Sequence, residues 1–285
     1  MNKAIAVCLL IFALSSLCLF SACTSPANGS DHAESLSVTQ KIELPCSTYA
    51  ADFDAEYQIT DGSLYGRGMN SLCLFGEDVS AVVTEWVKIV DADNIIHLEA
   101  INGSVMYLTS DGQVYALGNA EGIAQDYDPN IMLPCLRTPY LISEDCKHAS
   151  MGVGFVVMLR NDGSVWFQGA SKNGQGTEIA DRIAEPKKIA DHALFVKAFG
   201  YTTAWIDSSH SLYMCGDNSY GQIGNGHDGS GFPTLYKDIV AEPYFTLGNC
   251  VELTVIDHAS VQAKTAKGAV YAWGGEYGST PKYVG

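Results

Sequence analysis

After Phe20 no stretch keeps the 3.6-residue apolar period of an amphipathic helix; the chain is instead broken into short apolar runs separated by Gly, Asp and Asn. The runs come in pairs. Residues 55–60, 105–109, 155–159, 203–206 and 261–265 each lead into a turn, written Asp61-Gly62, Asp111-Gly112, Asp162-Gly163, Ser209-His210 and Lys267-Gly268. A second run then ends on Gly: Leu64-Tyr65-Gly66-Arg67-Gly68, Val114-Tyr115-Ala116-Leu117-Gly118, Val165-Trp166-Phe167-Gln168-Gly169, Leu212-Tyr213-Met214-Cys215-Gly216 and Val270-Tyr271-Ala272-Trp273-Gly274. Two strand-like runs around Asp-Gly predict a β-hairpin, because Gly accepts positive φ at little cost. The fourth turn lacks its Gly, which weakens the turn but not the strand.

The strand-ending glycines are 50, 51, 47 and 58 residues apart. Further apolar runs precede the hairpins at 95–100, 147–151 and 195–199, and shorter ones come before those at 86–90, 140–142, 187–189 and 235–239. Four short strands per repeat of about fifty residues is the period of a propeller blade. The chain of 285 residues is 47% apolar and 17% charged, with 28 Gly and 15 Tyr, which suits an all-β protein with many turns. The predicted fold is therefore an all-β propeller of about five four-stranded blades.

Two stretches carry a resemblance. DGSVWFQGASKNGQG (162–176) and SLYMCGDNSYGQIGNG (211–226) resemble the regulator of chromosome condensation repeat, in which Asp-Gly, an aliphatic-aromatic pair, Gly, Asn and Gly-Gln-Leu-Gly precede a Pro near the start of the next blade. Here those Pro positions are Pro139, Pro186, Pro233 and Pro281. The resemblance covers about 40–285 and implies a β-propeller, which in that family has about seven blades. Residues 280–284 read as the opening strand of one more blade. Pairing with 38–44 would close a ring of six. The recurring Gly68, Gly118, Gly169, Gly216 and Gly274 read as a backbone requirement of the scaffold, not as a ligand site.

The N-terminus reads as an address. Lys3 supplies a positive charge, 4–20 is apolar apart from Ser15 and Ser16, and Phe20-Ser21-Ala22-Cys23 brings small residues to a Cys. This resembles a bacterial lipoprotein signal, which implies cleavage after Ala22 and acylation of Cys23. That family usually has Leu where this chain has Phe20. Plain secretion or an uncleaved membrane anchor are the alternatives. The expected organisation is a signal at 1–22, a polar tether at 23–37 and the propeller at 38–285, lipid-anchored on the extracytoplasmic face of a membrane. Cys46, Cys73, Cys135, Cys146, Cys215 and Cys250 remain outside the signal and could form three disulfides, with Cys135 and Cys146 near enough for a local one. The other reading is buried thiols, favoured for Cys215.

Acidic residues outnumber basic ones 32 to 16, and the net charge of −16 opposes nucleic-acid binding. No Gly-x-Ser-x-Gly, P-loop, His-Glu-x-x-His or Cys-x-x-Cys occurs, so no catalytic residue, metal or cofactor is assigned. His97 and His148 recur at equivalent places, which suits inter-blade packing. Function is expected where the repeat breaks down, in the loops 69–83, 119–135, 170–185, 217–232 and 275–280. These should gather on one face and carry Phe75, Tyr127, Tyr220, Phe232 and Tyr277 among Glu77, Asp78, Asp126, Asp128 and Asp228. Aromatics with acidic neighbours suit a face that binds a protein or glycan partner, unless they pack under their own loops. The reading is a non-catalytic interaction module. Guanine-nucleotide exchange, implied by the nuclear member of the resembled family, and a cell-envelope glycosidase or lyase are the alternatives.

Overall fold

The computed structural model describes residues 41–52, 55–70, 74–75, 81–119, 123, 135–171, 175–177, 180–229 and 238–285. Five four-stranded antiparallel sheets follow one another along the chain. The first is β1 (Tyr49–Asp52), β2 (Ala55–Thr60), β3 (Ser63–Met69) and β4 (Val82–Val90). The second is β5 (Ile95–Ile101), β6 (Ser104–Thr109), β7 (Val114–Asn119) and β8 (Cys135–Ser143). The third is β9 (Cys146–Gly152), β10 (Phe155–Arg160), β11 (Val165–Ser171) and β12 (Ala180–Ala190). The fourth is β13 (Ala193–Phe199), β14 (Thr202–Asp207), β15 (Leu212–Asp217) and β16 (Ile239–Leu247). The fifth is β17 (Cys250–Val255), β18 (Val261–Thr265), β19 (Val270–Trp273) and β20 (Lys282–Tyr283). Among the described residues there is no α-helix, only a 3-10 turn at Gly275–Tyr277.

The pairing corrects the reading of the sequence in three places. Each outer strand closes the blade before it: β4 pairs with β3, not with a later hairpin. Sequence order leaves that choice open, because the outer run lies between two repeats. The fourth outer strand is β16, so Pro243, not Pro233, matches Pro139 and Pro186; all three lie on outer strands, where a missing N–H costs no ladder bond. Finally, β20 pairs with β19 (Tyr271↔Tyr283, Ala272↔Lys282), so the C-terminal strand completes the fifth blade instead of opening a sixth.

Side-chain alternation explains how the blades stack. On β6, Val105 and Tyr107 enter the core shared with the first blade, while Met106 and Leu108 enter the core shared with the third. On β10, Val156 and Met158 face back and Phe155, Val157 and Leu159 face forward. On β14, Trp205 faces back and Ala204 and Ile206 face forward. Successive side chains of a strand point to opposite faces, so a blade between two neighbours must be apolar on both. The end blades differ. Tyr57 of β2 is buried, but Glu56 and Gln58 are only half-buried; Val261 and Ala263 of β18 are buried, but Lys264 is exposed. Among the described residues the cores join blades one to two, two to three, three to four and four to five, and none joins the fifth to the first.

Backbone bonds repeat the series. The Ile95 N–H donates to Gly62 O (3.1 Å), Cys146 N–H to Gly112 O (2.9 Å), Ala193 N–H to Gly163 O (2.8 Å) and Cys250 N–H to His210 O (2.8 Å). The hairpin turn of each of these blades thus takes the first amide of the next blade. His210 replaces Gly in its turn at φ 60°. Among the described residues no amide takes the carbonyl of the fifth turn, and a Cβ added at Gly268 would meet nothing within 4 Å.

The five strand-ending glycines have φ between 80° and 128°. At Gly118 and Gly169 a Cβ would also fall well inside contact distance of the carbonyls of Gly103 and Gly154, which accept the next amides, Asn119 N–H (2.9 Å) and Ala170 N–H (2.8 Å). At these positions the backbone conformation itself calls for glycine. Cys46, Cys146, Cys215 and Cys250 are free thiols, Cys135 is bridged to none of them, and Cys73 lies outside the described residues. The Cys135–Cys146 bridge does not form because nine-residue β8 separates them along the blade by about 27 Å. Cys215 is fully buried.

Candidate functional site

Within each blade the first and third strands run the same way. The turns after the first strands therefore share a face with the loops that follow the strand-ending glycines. A cavity of about 700 Å³ is lined on this side by the ends of the innermost strands of all five blades, including Tyr49, Glu99, Met151, Lys197, Phe199 and His258. Its walls are largely apolar. Its charge is concentrated in one network on β5, β9 and β13.

Glu99 is the hub of that network. Lys197 Nζ lies 2.6 Å from Oε1, and Ser150 Oγ (2.9 Å) and Met151 N–H (2.7 Å) donate to Oε2. Ser150 Oγ in turn accepts the Ala198 N–H at 3.0 Å, so one carboxylate links three consecutive blades. Burial alone would raise the Glu99 carboxyl, but the Lys197 ammonium and the His97 ring hold it at about 2. A carboxylate this acidic, with both oxygens engaged, is unsuited to general acid or base work.

His97 and His148 sit beside this hub, with ring centroids 5.2 Å apart, and His148 stacks on Phe195 at 6.2 Å. The Ser47 N–H donates to His97 Nδ1 (2.9 Å), which puts the ring proton on Nε2, 3.6 Å from Glu99 Oε1. His148 is 1% exposed and its Nε2 has no partner among the described residues. Burial, and then the neighbouring His97, lower its imidazole to about 3, so it is neutral near neutral pH. The inter-blade packing expected of these two rings is what the structure shows. Among the described residues no group of three or more His, Cys, Asp or Glu is placed to hold a metal.

The loop aromatics divide. Tyr220 is 43% and Tyr277 37% exposed. Tyr220 meets His258 of the cavity wall edge-on at 5.6 Å. The loops carrying the two tyrosines are tied together by Gly275 N–H to Tyr220 O (2.9 Å) and Gly226 N–H to Ser279 O (2.8 Å). Phe75, by contrast, is 5% exposed and packs against Tyr57 at 6.3 Å, so it offers nothing to a partner. Its N–H bonds to Asn70 Oδ1 (2.9 Å) as that of Ile223 bonds to Asn218 Oδ1 (2.9 Å), which identifies both as buried loop anchors. Tyr127, Phe232 and Cys23 lie outside the described residues, as do Glu77, Asp78, Asp126 and Asp128; Asp228 is described and exposed. Sequence reading missed Glu99, Lys197 and His258. Aligning the inner strands would have shown Glu99, Ser150 and Lys197 at one repeated position, with Lys197 a charge inside an apolar run.

No family model matches the sequence. The RCC1 protein of Candida albicans is 29% identical over an alignment of 201 residues that covers 63% of this chain and 41% of that protein. Human WBSCR16 superposes with a TM-score of 0.68 at 15% identity, over 87% of this chain and 68% of that one. Prp20p from Saccharomyces cerevisiae superposes with a TM-score of 0.67 at 16% identity, over 83% of this chain and 64% of that one. The chain thus spans less than half of its curated relative and about two thirds of these structures. The fold is an RCC1-like β-propeller.

A buried neutral histidine carries a pH signature. Its folded value lies below the unfolded 6.5, so the unfolded state binds the extra proton and stability falls as pH drops below about 6.5. Replacing His148 by Phe, the residue at the matching place in β13, removes this one contribution. From pH 6.5 to 5 the wild type should lose about 2 kcal/mol more than His148→Phe in urea unfolding. Parallel pH slopes would contradict the assignment.

Proposed function

We propose that this chain is a non-catalytic interaction module that binds a macromolecular partner, a protein or a glycan, through the face carrying Tyr220, Tyr277 and His258. The observation that carries the reading is the pairing of half-exposed aromatics on mutually bonded loops with the mouth of a largely apolar cavity. Tyr is among the residues that anchor interfaces, because it offers a rigid apolar body and a polar tip. Loops fixed to each other lose little freedom on binding, which keeps the cost of association low. The likeness to RCC1-type propellers supports a protein as the partner: Prp20p has been studied for its binding to Gsp1p and histones, and yeast RCC1 (Prp20) has been crystallised with Kap60. The ionised, fully engaged Glu99 favours binding over catalysis at the cavity floor.

The partner is proposed to lie at the cell envelope, with the propeller held there through acylated Cys23 and a tether at 23–37. The support is the run from Lys3 to Cys23.

Two measurements test these readings separately. Capture from envelope extracts with wild type and with Tyr220→Ala/Tyr277→Ala should show recovery of the partner reduced at least about tenfold, as loss of an interface anchor gives. Equal recovery by both, or turnover of a wall polymer with no partner recovered, contradicts the binding reading. Labelling cells with a fatty acid should mark the wild type and not Cys23→Ala; equal labelling rules out the anchor.

A further inference from the structure

At the end opposite the loop face, where the innermost strands begin, lies a segment that belongs to no blade. Residues 41–46 alternate: Lys41 and Glu43 are exposed, Ile42 is 7% exposed and Leu44 half-buried. This is the period of an extended chain with one apolar edge. Ile42 enters the core between the fourth and fifth blades, beside Phe195 and Leu253, and Leu44 packs on that core and on the one between the third and fourth. The first backbone anchors come only at Ser47, which donates to His97 Nδ1 and accepts the Leu98 N–H (2.9 Å), and at Thr48, which accepts the Ile59 N–H (2.8 Å). Among the described residues no backbone bond holds 41–46. Cavities of about 620 and 570 Å³ flank the segment, and Glu43 lines both, with Lys264 on one side and Lys147 on the other.

Every strand of the blades is fixed by a ladder. This segment is fixed by two side chains and leaves space on either side. Its mode of attachment is that of a peptide in a groove. We propose that the groove opposite the loop face, formed by the starts of the innermost strands, is a peptide-binding site occupied in cis by residues 41–46, and that its ligands are extended segments of apolar–acidic–apolar–Pro pattern, as in Ile42-Glu43-Leu44-Pro45. The two apolar side chains take the inter-blade pockets. The acidic residue between them lines one cavity with Lys147 and the other with Lys264 and Glu252, on a chain whose net charge is −16. The resident segment is an internal competitor, since tethering gives it a high effective concentration.

The test uses a fluorescent peptide of residues 40–47, with Ser for the cysteine, titrated into the full chain and into Ile42→Ala/Leu44→Ala. Emptying the two pockets should tighten peptide binding roughly a thousandfold, given a millimolar effective concentration for the tethered segment and micromolar intrinsic affinity. A control peptide with Asp at both apolar positions should bind neither protein. Equal binding to wild type and variant overturns the proposal, as does a folded variant that binds no peptide. A variant that fails to fold also overturns it, because the segment is then a part of the core and not a ligand.

Discussion

Inter-blade burial is the constraint on which this structure depends. A four-stranded antiparallel sheet with apolar residues on both faces cannot stand alone in water, and β6, β10 and β14 are buried along almost their whole length only because a neighbour covers each side. Stability then behaves as a chain of nearest-neighbour contacts, as in other repeat proteins. The ends of such a chain need polar outer faces, and both have them. On the first blade Arg67 bonds Glu56 (2.7 Å) and lies 4.5 Å over the Trp86 ring; on the fifth, Glu252, Thr254 and Lys264 are exposed. The surface ion pair contributes at most about 1 kcal/mol, so its value lies in solubility.

The inner edges of the blades are joined by different chemistry. Glu99, Ser150 and Lys197 link three blades through charge-assisted bonds beside the loop-side cavity, and Ile42 and Leu44 pack between blades at the opposite end of the innermost strands. The scaffold thus offers two ends of distinct character: a loop face with exposed tyrosines and a groove already filled by the chain. Neither coincides with the repeat motif, whose glycines are consumed by backbone geometry.

What the sequence revealed was what the backbone settles locally. The Asp-Gly turns, the aliphatic-aromatic strands and the strand-ending glycines are each decided within a few residues, and all appear where expected. Blade phase was not legible, because whether 82–90 pairs backward or forward is a non-local choice. Pro243 rather than Pro233 takes the outer-strand position because β16 starts only at Ile239, which the local sequence does not mark. Phe75 looked like a surface aromatic until its bond to Asn70 placed it among the buried anchors. Glu99 and Lys197 are 98 residues apart and meet only through the curvature of the array. Tyr220 and Tyr277 are exposed on the predicted face, yet their link to the cavity runs through His258, which no motif marks.

The central claim is that the blades are joined in series and that, among the described residues, no core joins the fifth blade to the first. Native-state hydrogen exchange tests it most directly, since amides report the free energy of opening segment by segment. Strands β6, β10 and β14 should be the most protected, with β2 and β18 exchanging at least about tenfold faster through opening of the end blades alone. Protection of β2 and β18 equal to that of β10 would contradict the serial account.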